Sequence, residues 1–171
     1  MQQVPHVAID LEANSMYAYR EKICLLQISL LEQDFIVDPL AVNLTGFQAV
    51  LENPTIEKIF HSAEYDLILL QREYGWEVQN LFDTMWAART LGYQRIGLAS
   101  LLNEMFNVKL NKRYQRANWC RRPLSPAQLS YAQADTHYLL LLRNELAARL
   151  EESGHMTEAK EIFAEQCQVT V

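Results

Sequence analysis

The sequence has few cysteines, glycines and prolines, and it has no long hydrophobic run. It holds 3 Cys, 5 Gly and 5 Pro in 171 residues. Because the cysteines are odd in number and widely spaced, Cys24, Cys120 and Cys167 are predicted to be free thiols of a reducing compartment rather than a disulfide framework or a zinc site. The aliphatic run at residues 139–142 is far too short to span a membrane. A strand-like run begins by Val7, which leaves no room for a signal peptide. These absences favour a cytoplasmic protein.

The chain also lacks a Gly/Ser-rich linker, an internal repeat and a low-complexity segment. Its length predicts a single domain, residues 1–171, with a core over about 5–150 and a helical tail over 151–171. The pattern predicts an α/β fold in which the short gap between residues 30 and 34 forms a hairpin, so that part of the sheet is antiparallel. Phe35 and Leu98 are predicted core residues. Strands are predicted at residues 6–11, 23–30, 34–37 and 57–60, and helices at 46–51, 63–74, 83–91, 98–106, 126–150 and about 158–165.

Acidic residues are missing from one long interval, although the net charge is −6. A net negative charge argues against nucleic-acid binding, but there is no Asp or Glu between Glu104 and Asp135. Tyr114 and Trp119 lie in the interval, and basic side chains interleaved with aromatics can hold phosphates and stack bases. A solvated loop with core-facing aromatics would give the same pattern. The basic residues, which we place in a basic loop at residues 107–123, are Lys109, Lys112, Arg113, Arg116, Arg121 and Arg122.

Carboxylates cluster at two points near predicted strand ends. Asp10 and Glu12 end the first strand, and residues two apart on a strand share a face, whereas Leu11 points to the other side, into the core. Asp66 follows the fourth strand, on the first turn of a helix, within an apolar run where an unpaired carboxylate is costly. Solvated acids at a strand end, or an acid complementing a helix dipole, would be the simpler explanations.

A third segment carries Tyr131 and Asp135, four residues apart and therefore neighbours on one helix face. His137 is predicted to point away from that face. Gathering so many carboxylates is costly without a cation, and hard oxygen ligands indicate Mg²⁺ or Mn²⁺. Two such ions about 3.5–4 Å apart would clamp a phosphodiester. Tyr131 is predicted to orient the attacking water, because a phenol with a pKa near about 10 is a poor base at neutral pH.

Taken in order, these segments resemble the ribonuclease D branch of the 3′–5′ exonuclease superfamily, the tyrosine-containing group with four acidic ligands. The motifs that carry the resemblance are Asp10-Leu11-Glu12, His61-Ser62-Ala63-Glu64-Tyr65-Asp66 and Tyr131-Ala132-Gln133-Ala134-Asp135, with Phe82-Asp83-Thr84 and residues 112–124 beside them. Leu11 stands where ribonuclease D more often has threonine, and Asn118 where many relatives have aspartate. The likeness covers residues 7–150.

The resemblance implies a ribonuclease H-like fold, with a five-stranded mixed sheet flanked by helices. It implies hydrolysis of RNA from the 3′ end with release of nucleoside 5′-monophosphates. By carry-over, Asp10, Glu12 and Asp135 hold the catalytic metal, Asp10 and Asp66 serve a second ion, and Tyr131 positions the nucleophile. Ribonuclease D adds a C-terminal helicase-and-ribonuclease-D domain for which this chain has no segment. We expect a monomer.

The sequence leaves alternative functions open, and it also predicts which residues contact the substrate. DNA in place of RNA, or a nucleic-acid-binding module without catalysis, remain open, and the basic loop argues against a small-molecule phosphatase. Arg121 and Arg122 are alternatively predicted to pair with the acidic tail. The predicted substrate-binding residues are Gln27, His61, Lys112, Gln115, Arg116 and Trp119.

Overall fold

The computed structural model describes residues 5–15 and 17–170. In this part of the chain five strands form one sheet: β1 His6–Ala13, β2 Ile23–Leu30, β3 Gln33–Val37, β4 Glu57–Phe60 and β5 Leu81–Asp83. Seven helices accompany them: α1 Thr45–Leu51, α2 Glu64–Tyr74, α3 Thr84–Thr90, α4 Leu98–Phe106, α5 Pro126–His137, α6 Leu139–Ser153 and α7 Met156–Gln166. None of these described helices is long and apolar enough to cross a membrane.

The sheet is mixed, as the hairpin prediction and the family resemblance require. Its order is β3-β2-β1-β4-β5, with β2 antiparallel to its neighbours β1 and β3, β4 parallel to β1, and β5 parallel to β4. The pattern located the first four strands. It did not locate β5, because a strand of three residues has no measurable alternation. Strand β1 lies in the centre, with neighbours on both sides, and so its end lies near the middle of the molecule.

Helix α5 packs across β1, β2 and β3, whereas α6 packs against β1 and β4 and also contacts α3 and α7. The prediction of one helix over residues 126–150 was therefore wrong. Tyr138 ends α5 and begins α6. The break lets the two helices cover different strands, and a run of four leucines after it gives no sign of it in the sequence.

Two further predictions are corrected by the fold. Phe35 is 43% exposed, because β3 is an edge strand whose outer face has no covering helix in the described residues, whereas Leu98 is half-buried as part of the core. Cys24 on β2 and Cys120 in the basic loop form a disulfide, with their Cα atoms 4.8 Å apart. Cys167 is a free thiol. The disulfide and the small cluster of Cys24, Leu25, Trp119 and Ala132 fasten the basic loop to the sheet.

Candidate active site

A cavity of about 460 Å³ opens at the end of β1. Acidic residues from β1, α2 and α5 reach it, together with one tyrosine of α5. The basic loop forms another part of its wall, through Lys112 and Gln115. The structure thus brings together all five predicted catalytic residues, Asp10, Glu12, Asp66, Tyr131 and Asp135.

Strand β1 presents its two carboxylates on one face. Asp10 lies opposite Gln27 on β2, and Glu12 lies opposite Leu25, before the register shifts at Ala13. Leu11 is 8% exposed and belongs to the core on the other side of the sheet. Because side chains alternate along a strand, Asp10 and Glu12 both face the cavity while Leu11, between them, faces the interior.

Helix α5 brings the third motif to the same cavity. Ser125 caps the helix by accepting from the Gln128 backbone N–H, the Gln128 side chain accepts from the Ser125 N–H, and Pro126 occupies the first turn. These contacts fix where the helix begins, and so Tyr131 and Asp135, one turn apart, face β1. Ligand oxygens of Asp10, Glu12 and Asp135 lie within 4.8 Å of one another. Asp66 lines the cavity but is not part of this triad.

The carboxylates of the cavity repel one another and are poorly solvated. Burial raises the pKa of Asp10 to about 7 and that of Asp135 to about 8, the latter with a contribution from the Asp10 charge. Burial, then the charges of Asp10, Asp135 and Asp66, raise the pKa of Glu12 to about 10. Burial and the charges of Asp10 and Asp83 raise the pKa of Asp66. A divalent cation would offset this repulsion, and an all-oxygen donor set suits Mg²⁺ or Mn²⁺.

Tyr131 is held by aromatic side chains of the basic loop. Its ring stacks on Trp119 with centroids 5.8 Å apart, and Tyr114 meets it edge-on at 6.0 Å. Burial and the charges of Asp135 and Glu12 raise the pKa of Tyr131, so the phenol keeps its proton at neutral pH. Trp119 is 1% exposed, and the prediction that it contacts substrate is corrected. Both aromatics of the basic loop pack against Tyr131, and Tyr114 stays half-buried.

Gln27 and His61 contact other protein groups at the cavity. Gln27 is fully buried, and its side-chain amide donates to the Glu12 carboxylate at 3.5 Å from within the sheet. It was predicted to bind substrate, and its burial corrects that prediction. His61 lines the cavity, with Nδ1 2.8 Å from the Thr84 hydroxyl. Burial lowers the pKa of His61, against the opposing charge of Asp83.

The remaining predicted contact residues differ in whether their side chains are exposed or already bonded within the protein. Lys112 and Gln115 are exposed at the cavity, while Arg116 is exposed outside its lining and its carbonyl accepts from the Tyr17 hydroxyl at 2.8 Å. Arg122 does not pair with the acidic tail. Its guanidinium donates to both carboxylate oxygens of Asp38, at 2.7 and 2.9 Å.

Arg122 also donates to the backbone carbonyls of Trp119 at 2.6 Å and Cys24 at 2.7 Å. The basic loop is therefore held to β2 at the place where Trp119 meets Tyr131. His137, predicted to point away from the face of Tyr131 and Asp135, donates from Nδ1 to the Asp34 carboxylate at 2.7 Å, on the side of α5 that faces β3.

Sequence reasoning missed Ser62, Tyr65 and Asn111, which line the cavity. Tyr65 and Ser62 lie inside the second motif, so their proximity to Asp66 was the available signal. Asn111 precedes Lys112, and only the course of the basic loop shows that it reaches the cavity.

Fold and site define a class: a ribonuclease H-like α/β protein with a carboxylate cluster suited to divalent cations. A family model described as 3′–5′ exonuclease matches residues 1–151, and the chain belongs to this family. It is 42% identical over 158 residues to "Exosome complex exonuclease RRP6" of Saccharomyces cerevisiae, a match covering 91% of this chain and 22% of that protein. The chain thus spans about a fifth of the length of this curated relative.

Solved structures agree with this assignment. Escherichia coli RNase D, an exoribonuclease involved in structured RNA processing, has a TM-score of 0.87 and 30% identity, with 97% of this chain and 46% of that chain covered. The resemblance to ribonuclease D is confirmed. Brucella melitensis NrnC with bound Mg²⁺ has a TM-score of 0.85 and 30% identity, with coverage of 96% and 82%. A dependence on divalent metal is the shared property of this family.

Proposed function

We propose that this chain is a metal-dependent exonuclease that removes nucleotides one at a time from the 3′ end of RNA. Water attacks the last phosphodiester, the bond between phosphorus and the 3′ oxygen breaks, and a nucleoside 5′-monophosphate leaves. The observation that carries this proposal is the triad of Asp10, Glu12 and Asp135, with ligand oxygens within 4.8 Å of one another in an open cavity. Family membership supports the direction of hydrolysis.

The acidic residues would hold two divalent cations, Mg²⁺ or Mn²⁺. Asp10, Glu12 and Asp135 are the ligands of the first, and Asp10 and Asp66 serve the second. When bound, such ions neutralise charge that builds up on the phosphate and lower the pKa of a coordinated water. Mg²⁺ in the Brucella relative supports the choice of metal.

Tyr131 keeps its hydroxyl proton and orients the attacking water by a hydrogen bond. This role fits the direction of its pKa shift, because a protonated phenol is a donor and an acceptor but no base at neutral pH. Trp119 and Tyr114 restrict the ring to one orientation. Catalysis depends on such preorganisation because a misplaced nucleophile loses much of the rate.

The substrate would enter along the basic loop. Lys112 and Gln115 border the cavity and are free to meet phosphate and ribose, with Arg116 further along the strand of RNA. His61 is close enough to contact the terminal nucleotide, since its ring lines the cavity. RNA is favoured over DNA because the named activities of the yeast and Escherichia coli relatives concern the exosome and RNA.

Digestion of 5′-labelled single-stranded RNA and DNA tests the proposal. With Mg²⁺ or Mn²⁺ we expect RNA to shorten from the 3′ end in a ladder, and we expect none with EDTA or in Asp10→Asn. Faster loss of the DNA would replace RNA by DNA as the substrate. Binding of the oligonucleotides without any degradation would instead indicate a nucleic-acid-binding module and overturn the catalytic proposal.

We further propose that the chain acts as one domain, as a monomer and in the cytoplasm. Support for one domain comes from α7, which packs on α3, α6 and β5 and contributes Phe163 and Ala159 to the main core. Sedimentation of the purified chain checks the monomer, and cell fractionation checks the compartment.

A further inference from the structure

Asp83, the last residue of β5, is a fully buried carboxylate outside the lining of the cavity. It accepts five hydrogen bonds, and none of the donors is a cation. N–H groups alone stabilise this carboxylate, and its hydrogen bonds in turn hold the segments that carry these N–H groups in place. The donors are the backbone N–H groups of Ser62 at 3.0 Å, Ala63 at 2.8 Å, Met85 at 2.9 Å and Trp86 at 3.4 Å, and Nε2 of Gln166 at 2.9 Å.

Two of these bonds hold the turn that starts α2. Helix α2 has no side-chain cap of its own, since the capping position is Ala63. Asp83, on another strand, instead holds the two residues just before the helix by accepting from the backbone N–H groups of Ser62 and Ala63. Ser62 has φ of 62°, a left-handed backbone that non-glycine residues rarely adopt without support. Asp83 supplies that support.

The turn fixes where the Asp66 carboxylate points. Asp66 is the third residue of α2 and is 7% exposed in the cavity. A rotation of the first helical turn would move this carboxylate relative to Asp10. A second contact joins the same segments, because His61 Nδ1 lies 2.8 Å from the hydroxyl of Thr84, next to Asp83.

Gln166 connects the end of α7 to the same carboxylate. The last helix therefore reaches the turn before α2 through a single side chain. Of the five hydrogen bonds, this one is the easiest to remove by mutation, because its donor is a side chain and the other four donors are backbone N–H groups.

We propose that Asp83 is a positioning residue that holds Asp66 in place for the second divalent cation. This inference rests on the proposed function. Asp83→Asn also removes a negative charge near the cation sites, and this loss by itself weakens cation binding. Gln166→Leu removes a hydrogen bond to Asp83 without changing the charge, so it tests the positioning role separately from the charge.

The test is Asp83→Asn in the full chain, with Mn²⁺ binding followed by electron paramagnetic resonance. The amide would turn one acceptor oxygen into a donor that faces the N–H groups of the turn. We expect wild type to bind two Mn²⁺ and the variant to bind the second about 10–100-fold more weakly, the range for lost outer-shell support. The first ion should change little. The Mg²⁺ concentration for half-maximal hydrolysis should rise in parallel, with kcat recovering at saturating metal.

Glu57→Gln is the matched control. Glu57 is a carboxylate with three bonds, from His6 at 3.0 Å and from Arg143 at 2.6 and 3.1 Å, and it lies away from the cavity. This variant should lower the melting temperature and leave both Mn²⁺ affinities unchanged. An equal loss of Mn²⁺ affinity in Glu57→Gln would mean general destabilisation and would overturn the inference.

Other outcomes separate the inference from the proposed function. A wild-type chain that binds two Mn²⁺ beside an Asp83→Asn variant with unchanged or tighter binding overturns the positioning role alone. A wild-type chain that binds no Mn²⁺ overturns both. Gln166→Leu, which leaves the charge of Asp83 in place, should weaken binding of the second ion by a few-fold, less than the roughly 10-fold lower end for lost outer-shell support. Unchanged binding in Gln166→Leu overturns the positioning role, and this variant also serves as the test if Asp83→Asn does not fold.

Discussion

Two clefts of this molecule differ in size and in how their charges are compensated. The cleft between β5, α6 and α7 measures about 960 Å³, twice the roughly 460 Å³ of the cavity at β1. In the larger cleft Glu57 is paired with Arg143 and His6, and Arg143 also lies 5.1 Å from the ring centre of Phe82. In the smaller cavity Lys112 lines the wall, but the acids of the triad form no ion pair within the described residues. Uncompensated charge, and not volume, marks the proposed active site.

The contrast extends to the proton affinities of carboxylates elsewhere. Hydrogen bonds from Arg122 lower the pKa of Asp38, whereas burial and neighbouring charge raise the pKa of every acid in the cavity. Folding satisfies acids such as Asp38 and Asp83 with donors. It leaves the cavity acids in need of a ligand that the chain itself does not provide.

The test with the largest expected effect replaces one carboxylate in each cleft by the corresponding amide. Asp10→Asn should reduce exonuclease activity by about 10³-fold or more, at the upper end for one electrostatic group. It should also stabilise the metal-free protein at pH 8 by about 1–3 kcal/mol, because like-charge repulsion falls. Glu57→Gln should keep its activity and lose about 1–3 kcal/mol, because its partners become unpaired. Digestion assays and chemical denaturation measure both. A stabilised Glu57→Gln would contradict the contrast.

A smaller effect is expected where the cavity meets the basic loop. Tyr131→Phe keeps the ring between Trp119 and Tyr114 but removes the hydroxyl that orients water. We expect kcat to fall about 10²-fold, with KM nearly unchanged. Tyr138→Phe, at the C-terminal end of α5 and outside the cavity lining, is the control and should retain its kcat. Steady-state kinetics on RNA would contradict the role if KM changed instead of kcat.

The pH dependence of stability should distinguish the two kinds of acid. Asp10 and Asp135 bind protons more tightly when folded, since burial raises their pKa from 3.8 to about 7 and about 8. Their stabilising contribution is complete below pH 3.8 and is lost as the pH rises through 7 to 8. Asp38, with a lowered pKa, contributes above its ordinary value and loses its contribution as the pH falls.

Melting temperatures between about pH 5 and 9 measure this difference. In EDTA the melting temperature should fall across the range, and Mg²⁺ should flatten the curve because it binds the ionised acids. Asp10→Asn should reduce the slope in EDTA. A wild-type curve that is flat without metal would contradict the raised proton affinities of the cavity.

Local spacing made the acids and the tyrosine of the cavity predictable. Asp10 and Glu12 are two apart on a strand, and Tyr131 and Asp135 are four apart on a helix, so each pair shares a face whatever the rest of the fold does. Asp66 was recognised because its neighbours are apolar. The resemblance to ribonuclease D then joined the three segments, which no spacing could do.

Long-range contacts explain what the sequence did not predict. Trp119 stood in a basic segment that suggested the surface, but packing against Tyr131 buries it. The Cys24–Cys120 disulfide joins residues 96 apart, and Arg122 reaches Asp38 across 84 positions. Such partners follow from the way the basic loop crosses β2, and composition carries no record of that path.

The smallest effect is expected from single lysines at the two clefts. Lys112 borders the cavity, and Lys160 borders the larger cleft; both are exposed and neither is paired with an acid in the described residues. If RNA runs along the basic loop, Lys112→Met removes one phosphate contact, whereas Lys160→Met removes none. We expect Lys112→Met to raise KM by about 3–10-fold, and its slope of log KM against log salt to fall by about 0.7, the value for one phosphate on a single strand.

Kinetics at several salt concentrations separate this contact from a general charge effect. Both substitutions change the net charge equally, so long-range attraction alone would shift KM by the same factor in both. If the slope of log KM against log salt falls in Lys112→Met and not in Lys160→Met, the RNA backbone passes the mouth of the cavity at Lys112. Equal slopes would move the path of the RNA away from the basic loop, and the contrast between the clefts would then rest on the acids alone.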